Sequence, residues 1–278
     1  MAMHTLRLLM KRLKKENDLI IFQYRELLWS FIKRDILTRY RGSFLGIMWS
    51  FLNPLFMLLL YTFVFSVILG VRFPGSTAIA GYSINLFCAL IPWLAFSETI
   101  GRSPSLILSN VNLVKKTVFP LEILPVMAAS TGFIHGLISL LILFVAVIIA
   151  NGHLLYMIIF LLPIVMIPQI LFTVGLAWML SSMGVFVRDL GELVRLFLTA
   201  WMFLTPIMYP MEVIPEKYRG YAMINPIAVI AEGYRALIIK GVLPDWKGLL
   251  WIALLGLFMR VMGYIWFMKT KKIFADVI

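Results

Sequence analysis

Apolar residues fall in six long blocks along the chain, separated by shorter polar stretches. Each block reaches about the 20 residues that a helix needs to cross the hydrocarbon core of a bilayer. The blocks cover residues 44–70, 83–102, 123–150, 154–184, 193–211 and 248–268. This pattern predicts an all-α membrane protein with six transmembrane helices, in which residues 44–268 form the membrane domain.

Several blocks carry a further local signal. At 1.5 Å per residue the first would be roughly 40 Å long, so we expect it to tilt or to extend into the lipid headgroups. Pro163 and Pro168 predict a kink or an interruption in the fourth block. Only residues 151–153 separate the third block from the fourth, so these two blocks are predicted to form a hairpin.

Residues 19–41, ahead of the first block, have one apolar and one basic side. The apolar side of a helix here would consist of Tyr24, Leu28, Phe31, Ile32 and Ile36. Asp35 and Arg39 intrude on that side, four residues apart, and are expected to pair with each other. We predict a helix lying in the membrane interface, with its apolar side in lipid, within a cytoplasmic arm of residues 1–43. A merely basic flank is the alternative.

Two connections between the blocks are unusual. Ser103 and Pro104 are a helix-start signal, and they predict a short helix from Leu106 to Val114 that projects into the cytoplasm. Residues 212–246, on the other side of the membrane, are too apolar for a plain loop. Residues 225–241 within them have helical spacing but are too short and too charged to span. Re-entrant or interfacial helices are therefore predicted between spans five and six, starting at residues 225–226 and ending at Gly241.

Basic residues lie beside the apolar blocks. The 278 residues include 25 Lys and Arg against 13 Asp and Glu, a net charge of +12, and 62% of the chain is hydrophobic. A soluble domain is only about 45–50% apolar. A nucleic-acid-binding protein would gather its cations on one face, so flanking cations argue against that class. Because cations cluster before the first block and in the tail of residues 269–278, both termini are predicted to face the cytoplasm.

The sequence contains no motif for catalysis or for a nucleotide. It lacks the G-x-x-x-x-G-K-[ST] loop that cradles ATP phosphates, so no ATP site of its own is expected. His4, His135 and His153 have no metal-ligand spacing. Cys88, the single cysteine, cannot form an internal disulfide and is interpreted as a small buried hydrophobe. We therefore expect neither an enzyme nor a bound metal.

Two ionisable residues fall at membrane depth, where burial of a charge is costly and often marks a function. Glu98 is four residues from Arg102 and is expected to pair with it near the inner surface. Arg260 lies nine residues before Lys269, roughly 13 Å along a helix. That depth makes snorkelling difficult, so Arg260 is expected to face a partner or a wet cavity.

Four segments together resemble the type 2 ABC export permeases, in the branch that exports O-antigen, capsule or teichoic acid chains. They are RDILTRYRGSFLGIMWSFLNPL (residues 34–55), NLVKKTVFPLEILP (112–125), VFVRDLGEL (185–193) and TPIMYPMEVIPEKYRGYAMINPIAVIAEGYRALI (205–238). They are similar, in order, to the interface helix with the start of span one, the cytoplasmic coupling region, the motif between spans four and five, and the outer re-entrant helices. The likeness covers most of the chain.

The resemblance implies a transport subunit in the bacterial cytoplasmic (inner) membrane. It implies a homodimer that pairs with two copies of a separate ABC ATP-binding subunit, which binds ATP and Mg. The cargo implied is a polyprenyl-diphosphate-linked glycan. A permease without a P-loop needs such a motor, and the motor must push on a projecting element. The residues predicted to couple to the motor are Ser105, Leu106, Asn112, Lys115 and Lys116.

A glycan path favours aromatic platforms, and a diphosphate favours cations. The residues proposed for the path are Tyr61, Trp93, Phe96, Trp201, Tyr209, Arg260 and, near the last span, Trp266. Arg34, Arg39 and Arg41 are predicted to receive the diphosphate as bidentate donors. Interfacial aromatic belts and anionic lipids are the competing interpretations. Arg188 and Asp189 are placed at the inner mouth, where they are expected to lock span four to span five.

Three other functions compete with polysaccharide export. A drug or small-molecule exporter with the same fold is the main alternative. A membrane-embedded acyl- or glycosyltransferase would need His, Asp or Glu clustered at one membrane face, and the sequence offers no such cluster. A structural scaffold would not explain the re-entrant outer segment or an arginine at membrane depth.

Overall fold

The computed structural model describes residues 23–73, 79–115, 119–151 and 157–278, and the regular elements in these ranges are helical. The helices are α1 (Arg25–Arg39), α2 (Trp49–Tyr61, extended by a π-helical segment, Thr62–Ile68), α3 (Ile79–Arg102), α4 (Val111–Lys115), α5 (Ile123–Asn151), α6 (Met157–Phe186), α7 (Leu190–Leu204), α8 (Glu216–Ile224), α9 (Pro226–Arg235, extended by a π-helical segment, Ala236–Lys240), α10 (Trp246–Thr270) and α11 (Phe274–Val277). The predicted all-helical fold is confirmed for this part of the chain.

Five helical stretches in the described ranges are long and apolar enough to cross a membrane. They are Gly46–Ile68, Gly81–Ser105, Ile123–Ala150, Phe160–Phe186 and Trp246–Val277. They coincide with the first four and the sixth of the predicted spans. The bent pair α8 and α9 would raise the number to six if it counted as one span.

The predicted fifth span is shorter than expected. It corresponds to α7, which has 15 residues and is therefore roughly 22 Å long. The helix ends at Leu204 because Pro206 disfavours the helical conformation at the residue before it, and Thr205 is extended, with φ −95° and ψ 135°. Residues 205–208 continue as non-helical chain, and Thr205, Ile207 and Met208 are fully buried.

The fourth span was predicted to be kinked or interrupted at its two prolines. Of these alternatives the interruption does not occur, because α6 runs as one helix through both Pro163 and Pro168. The residue after Pro168, Gln169, joins this helix to α3, since its side-chain amide donates to the carbonyl of Pro92 at 2.8 Å.

Small residues bring α6 and α10 into backbone contact. A Cβ atom at Gly175 would lie 2.3 Å from the carbonyl carbon of Met259 and 2.4 Å from the amide nitrogen of Arg260. A Cβ at Gly263 would lie 2.1 Å from the carbonyl oxygen of Gly175. Helices in membranes associate closely through small residues of this kind, since lipid offers no hydrophobic drive. Glycine is therefore required on both sides of this contact.

The segment between α7 and α10 forms two short helices that meet at 95°. Asn225 is the break, and its side-chain oxygen accepts a hydrogen bond from the amide of Ile227, at 3.1 Å, with Pro226 as the first helical residue. The second helix ends where Gly241 takes a left-handed conformation, with φ 63°. The predicted start and stop signals of this helix are both confirmed.

Two buried clusters hold the bundle together. The larger one joins residues of α3, α5, α6, α7, α9 and α10. The smaller one, which we call the α1 cluster, packs α1 and the chain before α4 against α5, α6, α10 and α11. Its fully or nearly buried members include Phe31, Ile32, Leu106, Ile107, Trp178 and Phe274. The α1 cluster therefore positions both α1 and the predicted coupling segment.

We expect Gly175→Ala to destabilise the protein by about 1–3 kcal/mol, because the new methyl group must force two helix backbones apart. The measurement is the thermal unfolding midpoint of the detergent-purified protein. Gly191→Ala, on α7, is the matched control, since a Cβ atom at Gly191 would have no contact within 4 Å. Equal midpoints for the two variants would contradict the backbone contact.

Candidate functional site

Five ionisable residues tie α1 to α3 and α5, and we call them the charge network. Arg39 Nη1 lies 2.7 Å from Glu98 Oε1, and His135 Nδ1 lies 3.0 Å from Glu98 Oε2. Arg102 binds Asp35 through two nitrogen–oxygen contacts of 2.6 and 2.9 Å. A bidentate pair of this kind is stronger and more directional than a single contact. The network therefore fixes α1 in both position and rotation.

The network corrects two expectations for α1. Asp35 and Arg39 do not pair with each other. Each binds an oppositely charged residue on α3, so the two ion pairs join two helices instead of lying within one. Glu98 does approach Arg102, at 3.9 Å, but its close partner is Arg39. The apolar side of α1 also differs from the expectation of lipid contact. Phe31 and Ile32 are buried against protein in the α1 cluster.

Asp35 is held in its charged form. Burial alone would raise its pKa, but the hydrogen bonds and the charge of Arg102 together outweigh burial and lower the pKa from its usual range. A group whose pKa is lowered on folding stabilises the fold above its unfolded pKa. The stability that Asp35 contributes is therefore lost only as the pH falls through its lowered pKa in the folded protein. The pair is therefore fully formed at neutral pH.

A pocket of about 440 Å³ opens beside the network, where the chain turns from α1 into α2. We call it the elbow pocket. Its polar lining comes from both sides of the turn and from the helices behind it, and includes Arg39, Trp49, Ser50, Asn53, Glu98 and His135. Apolar side chains complete the wall. The volume lies within the roughly 300–1,000 Å³ that is usual for ligand pockets.

The predicted coupling segment is less regular than expected. Residues 106–114 were predicted as one short helix, but two single 3₁₀ turns, Ser103–Ser105 and Leu108–Asn110, precede the five-residue helix α4. Side-chain hydrogen bonds to the backbone explain the irregularity, because Ser105 and Asn110 bond to the carbonyls of Arg102 and Leu106.

The side chains of this segment separate into anchors and an exposed surface. Ser105, Asn112 and Lys115 are exposed, while Leu106 is buried in the α1 cluster. Leu106 therefore seats the segment and is not part of its surface. Lys115 Nζ donates to the carbonyl of Ile278 in the tail, at 3.3 Å. Lys116, the last of the predicted coupling residues, lies outside the described residues.

Backbone contact with α6 further fixes the start of the coupling segment. A Cβ at Gly184 would lie 2.0 Å from the carbonyl oxygen of Pro104. The segment therefore rests directly on the end of the fourth span. Arg188 and Asp189 follow in the turn between α6 and α7, where both are exposed. The Asp189 carbonyl accepts hydrogen bonds from the amides of Glu192 and Leu193 at the start of α7.

The aromatic residues predicted to line a path are partly brought together. Phe96 packs edge-on against Trp201, with ring centroids 5.2 Å apart, and lies 6.0 Å from Trp93. Trp93 and Phe96 are buried within the subunit, however, so they support the bundle in this conformation. Tyr61 and Tyr209 are half-buried. Their hydroxyls contact Met202 and the carbonyl of Phe203.

The remaining predicted cations have separate surroundings. Arg34 is exposed and lies over the ring of Phe31, 4.2 Å from its centroid. Arg41 is exposed in the turn after α1. Arg260 is half-buried on α10, at the contact with Gly175. These positions do not converge with Arg39 on one site within the subunit.

One functional candidate was missed by the sequence analysis. Arg235 is 1% exposed and donates to the carbonyls of Asn85, Pro206 and Ile207 at 2.9–3.1 Å. It also pairs with Glu232 at 2.6 Å. It thus clamps α9 to α3 and to the non-helical chain after α7. The only local signal is the Glu232–Arg235 spacing of three residues in a segment too short to span the membrane.

Residues 26–239, from α1 to the end of α9, match the family described as ABC-2 type transporter. The chain belongs to the ABC-2 type transporter family. The resemblance seen in the sequence is thereby confirmed at the level of the family.

Relatives of this ABC-2 type transporter align over most of its length. The O-antigen export system permease protein RfbA of Myxococcus xanthus is 33% identical over 235 residues, 84% of this chain and 88% of that protein. A protein of the same name from Klebsiella pneumoniae is 30% identical over 256 residues, 91% and 95% of the two chains. The polysialic acid transport protein KpsM of Escherichia coli is 24% identical over 232 residues, 83% and 88% of the two chains.

In this ABC-2 type transporter we expect Asp35→Asn to loosen α1. The substitution removes one charge of a partly buried pair, which typically costs about 1–3 kcal/mol. Amide hydrogen exchange of residues 25–39 should therefore become faster at neutral pH. Glu26→Gln, an exposed change on the same helix, should leave the exchange as it is in the wild type. Unchanged exchange in both variants would show that the network does not hold α1.

Proposed function

We propose that this ABC-2 type transporter is the transmembrane subunit of an exporter that moves a lipid-linked polysaccharide out across the bacterial cytoplasmic membrane. The observation that carries the proposal is the alignment of 84–91% of the chain with permeases named for O-antigen export. A polysialic acid transport protein aligns over a similar range, so the shared cargo class is a glycan chain. The lipid link, a polyprenyl diphosphate, completes the proposal.

The driving force in this proposal comes from a separate ABC ATP-binding subunit. The sequence holds no P-loop, so ATP and Mg would be bound by that subunit, with two copies attached to a homodimer of this chain. The docking surface would be the coupling segment, whose exposed residues Ser105, Asn112 and Lys115 stand on an anchored base. The contact of Pro104 with Gly184 supports direct transfer of motion to the fourth span.

The same proposal gives the chain six crossings with both termini in the cytoplasm. α7 serves as the fifth crossing, completed by the buried non-helical residues that follow it. α8 and α9 then form a re-entrant pair at the outer face, which their 95° bend supports. Irregular chain at membrane depth is tolerated where protein buries it, and Arg235 supplies the missing hydrogen bonds there. α1 lies along the cytoplasmic interface.

The proposed route of the cargo begins at the cytoplasmic face. Arg34 and Arg41 are exposed near α1 and are suited to receive the diphosphate. Arg39 is less suited than the sequence predicted, because Glu98 already neutralises its charge at 2.7 Å. The exposed apolar side chains of α2 and α7 would contact the transported glycan, a second copy of this chain, or lipid. Trp201 and Tyr209, both half-buried, remain candidates for the path.

Leu108→Asp should disable the coupling surface. Leu108 begins the second 3₁₀ turn and is 39% exposed, and a carboxylate there would oppose docking of an apolar partner surface. We expect export to fall about tenfold or more, which corresponds to roughly 1.4 kcal/mol or more of lost coupling. The measurements are surface glycan and copurification of the ATP-binding subunit. Asn112→Pro is a weaker test, because residue 112 is in the first turn of α4, where proline is tolerated.

The control for that variant is Leu243→Asp, which adds the same charge at an exposed leucine between α9 and α10. Export and copurification should stay at wild-type levels. If Leu108→Asp also retained both, the coupling segment would not be the docking surface.

Topology reporters should confirm the proposed orientation. Fusions at Asn151 and Lys217 should report the outer side, and fusions at Lys115 and Arg188 the cytoplasm, as the distribution of cations predicts. The measurement is the activity ratio of a pair of reporters that are active on opposite sides of the membrane. One reversed position would overturn the six-crossing arrangement.

A further inference from the structure

The elbow pocket has no role in the function proposed above, yet it is built like a binding site. It lies between the α1–α2 turn and the two helices, α3 and α5, that carry the charge network. In the proposed orientation it opens at the cytoplasmic face, where a lipid-linked glycan would arrive. The inference below rests on that proposed function and names a subsite for the same cargo.

The charges around the pocket balance. Arg39 and Arg102 face the carboxylates of Glu98 and Asp35 in close pairs. A phosphate entering the pocket would be repelled by the Glu98 carboxylate. To bind Arg39 it would have to break the Arg39–Glu98 ion pair, whose atoms lie 2.7 Å apart. Displacing a paired, partly buried charge is costly. The pocket therefore favours a ligand that is polar but carries no net charge.

One buried hydroxyl in the pocket lacks a partner. Ser50 is 4% exposed, and within the described residues its Oγ atom makes no hydrogen bond. The neighbouring hydroxyls differ, since Ser97 and Ser139 bond to carbonyls of their own helices. A buried polar group without a partner costs about 1–3 kcal/mol. A ligand hydroxyl at Ser50 would recover that energy.

Trp49 adds an aromatic surface to the lining of the pocket. Trp49 is 40% exposed, and its indole N–H donates to the hydroxyl of Ser43 at 2.9 Å. This bond fixes the ring and leaves its face for a ligand. Asn53, also exposed, adds an amide that can donate and accept. A sugar ring has C–H bonds on its faces and hydroxyls at its rim, so it matches an aromatic wall opposed by neutral or charge-balanced polar groups.

We propose that the elbow pocket binds one sugar ring of the glycan, the ring next to its lipid diphosphate. The ring would stack on Trp49 and exchange hydrogen bonds with Ser50, Asn53 and the Arg39–Glu98 pair. Arg41, two residues after Arg39 and exposed, would remain available to the adjacent diphosphate. The pocket thus binds the sugar next to the lipid diphosphate, and the phosphates themselves stay outside the pocket.

The test is protection of a cysteine placed in the pocket. Ser50→Cys is made in a Cys88→Ala background, and the rate of maleimide labelling is measured on the full-length protein in lipid nanodiscs. The probes are a short polyprenyl diphosphate carrying one or two sugars, the same polyprenyl diphosphate without sugar, and the free sugar. Asn53→Cys serves as a second reporter if the buried position disturbs folding. Ser30→Cys, exposed on α1, reports any general effect of the lipid.

The sugar-bearing lipid should slow labelling of the pocket cysteine about fourfold at a concentration near three times its Kd, because a quarter of the sites then stay free. The sugar-free diphosphate should not slow it, and the free sugar should slow it only at much higher concentration. The control cysteine should label at one rate throughout. Equal protection by both lipids would identify an anion site and overturn the proposal, as would protection by neither.

A variant with a filled pocket distinguishes a failure of the sugar subsite from a failure of the proposed export function. Asn53→Trp should occupy the space beside Trp49, so export should fall at least about fivefold, roughly 1 kcal/mol, while the ATP-binding subunit still copurifies. Full export by this variant, together with unprotected Ser50→Cys, would refute the sugar subsite and leave polysaccharide export standing. A wild-type protein that exports no glycan would instead refute the proposed function.

Discussion

A guanidinium can lie inside an apolar bundle only if its donors find acceptors, and Arg235 meets this condition with three carbonyls and one carboxylate. Two of those carbonyls, of Pro206 and Ile207, belong to the non-helical residues after α7. Their backbone groups therefore have no helical hydrogen bonds. The arginine and the non-helical chain thus stabilise each other, because each supplies what the other lacks. The sharp bend at Asn225 depends on the same region, since the Asn225 amide donates to the Thr205 hydroxyl at 2.8 Å.

The charge network follows the same rule at the other end of the bundle. Arginines from α1 and α3 alternate with carboxylates from the opposite helix, so that α1 is held by complementary charge as well as by Phe31 and Ile32. Neither contribution alone would fix the helix, because apolar packing permits sliding and single ion pairs near a surface are weak. Together they hold the α1–α2 turn in the geometry that creates the elbow pocket.

Local signals in the sequence predicted the features that depend on neighbouring residues. The hydrophobic blocks, the proline after Asn225 and the glycine at 241 act through short-range geometry, and the structure contains the elements they predict. The end of α7 was misplaced because hydropathy continues past Leu204 although Pro206 stops the helix. The partners of Asp35 and Arg39 were misassigned because spacing within one helix cannot reveal a charge on another. Arg235 was overlooked for the same reason, since its three carbonyl acceptors are 28 to 150 residues away.

The glycine contact between α6 and α10 has a mechanical consequence. Backbones that touch at Gly175 and Gly263 cannot slide without collision, so these two long helices behave as one rigid body. Fewer residues are buried along α2 than along α6: 17% of the most apolar window of the first span against 50% for the fourth span. In the proposed exporter, a passage for a polymer would therefore open more readily by displacement of α2 than by separation of the α6–α10 pair.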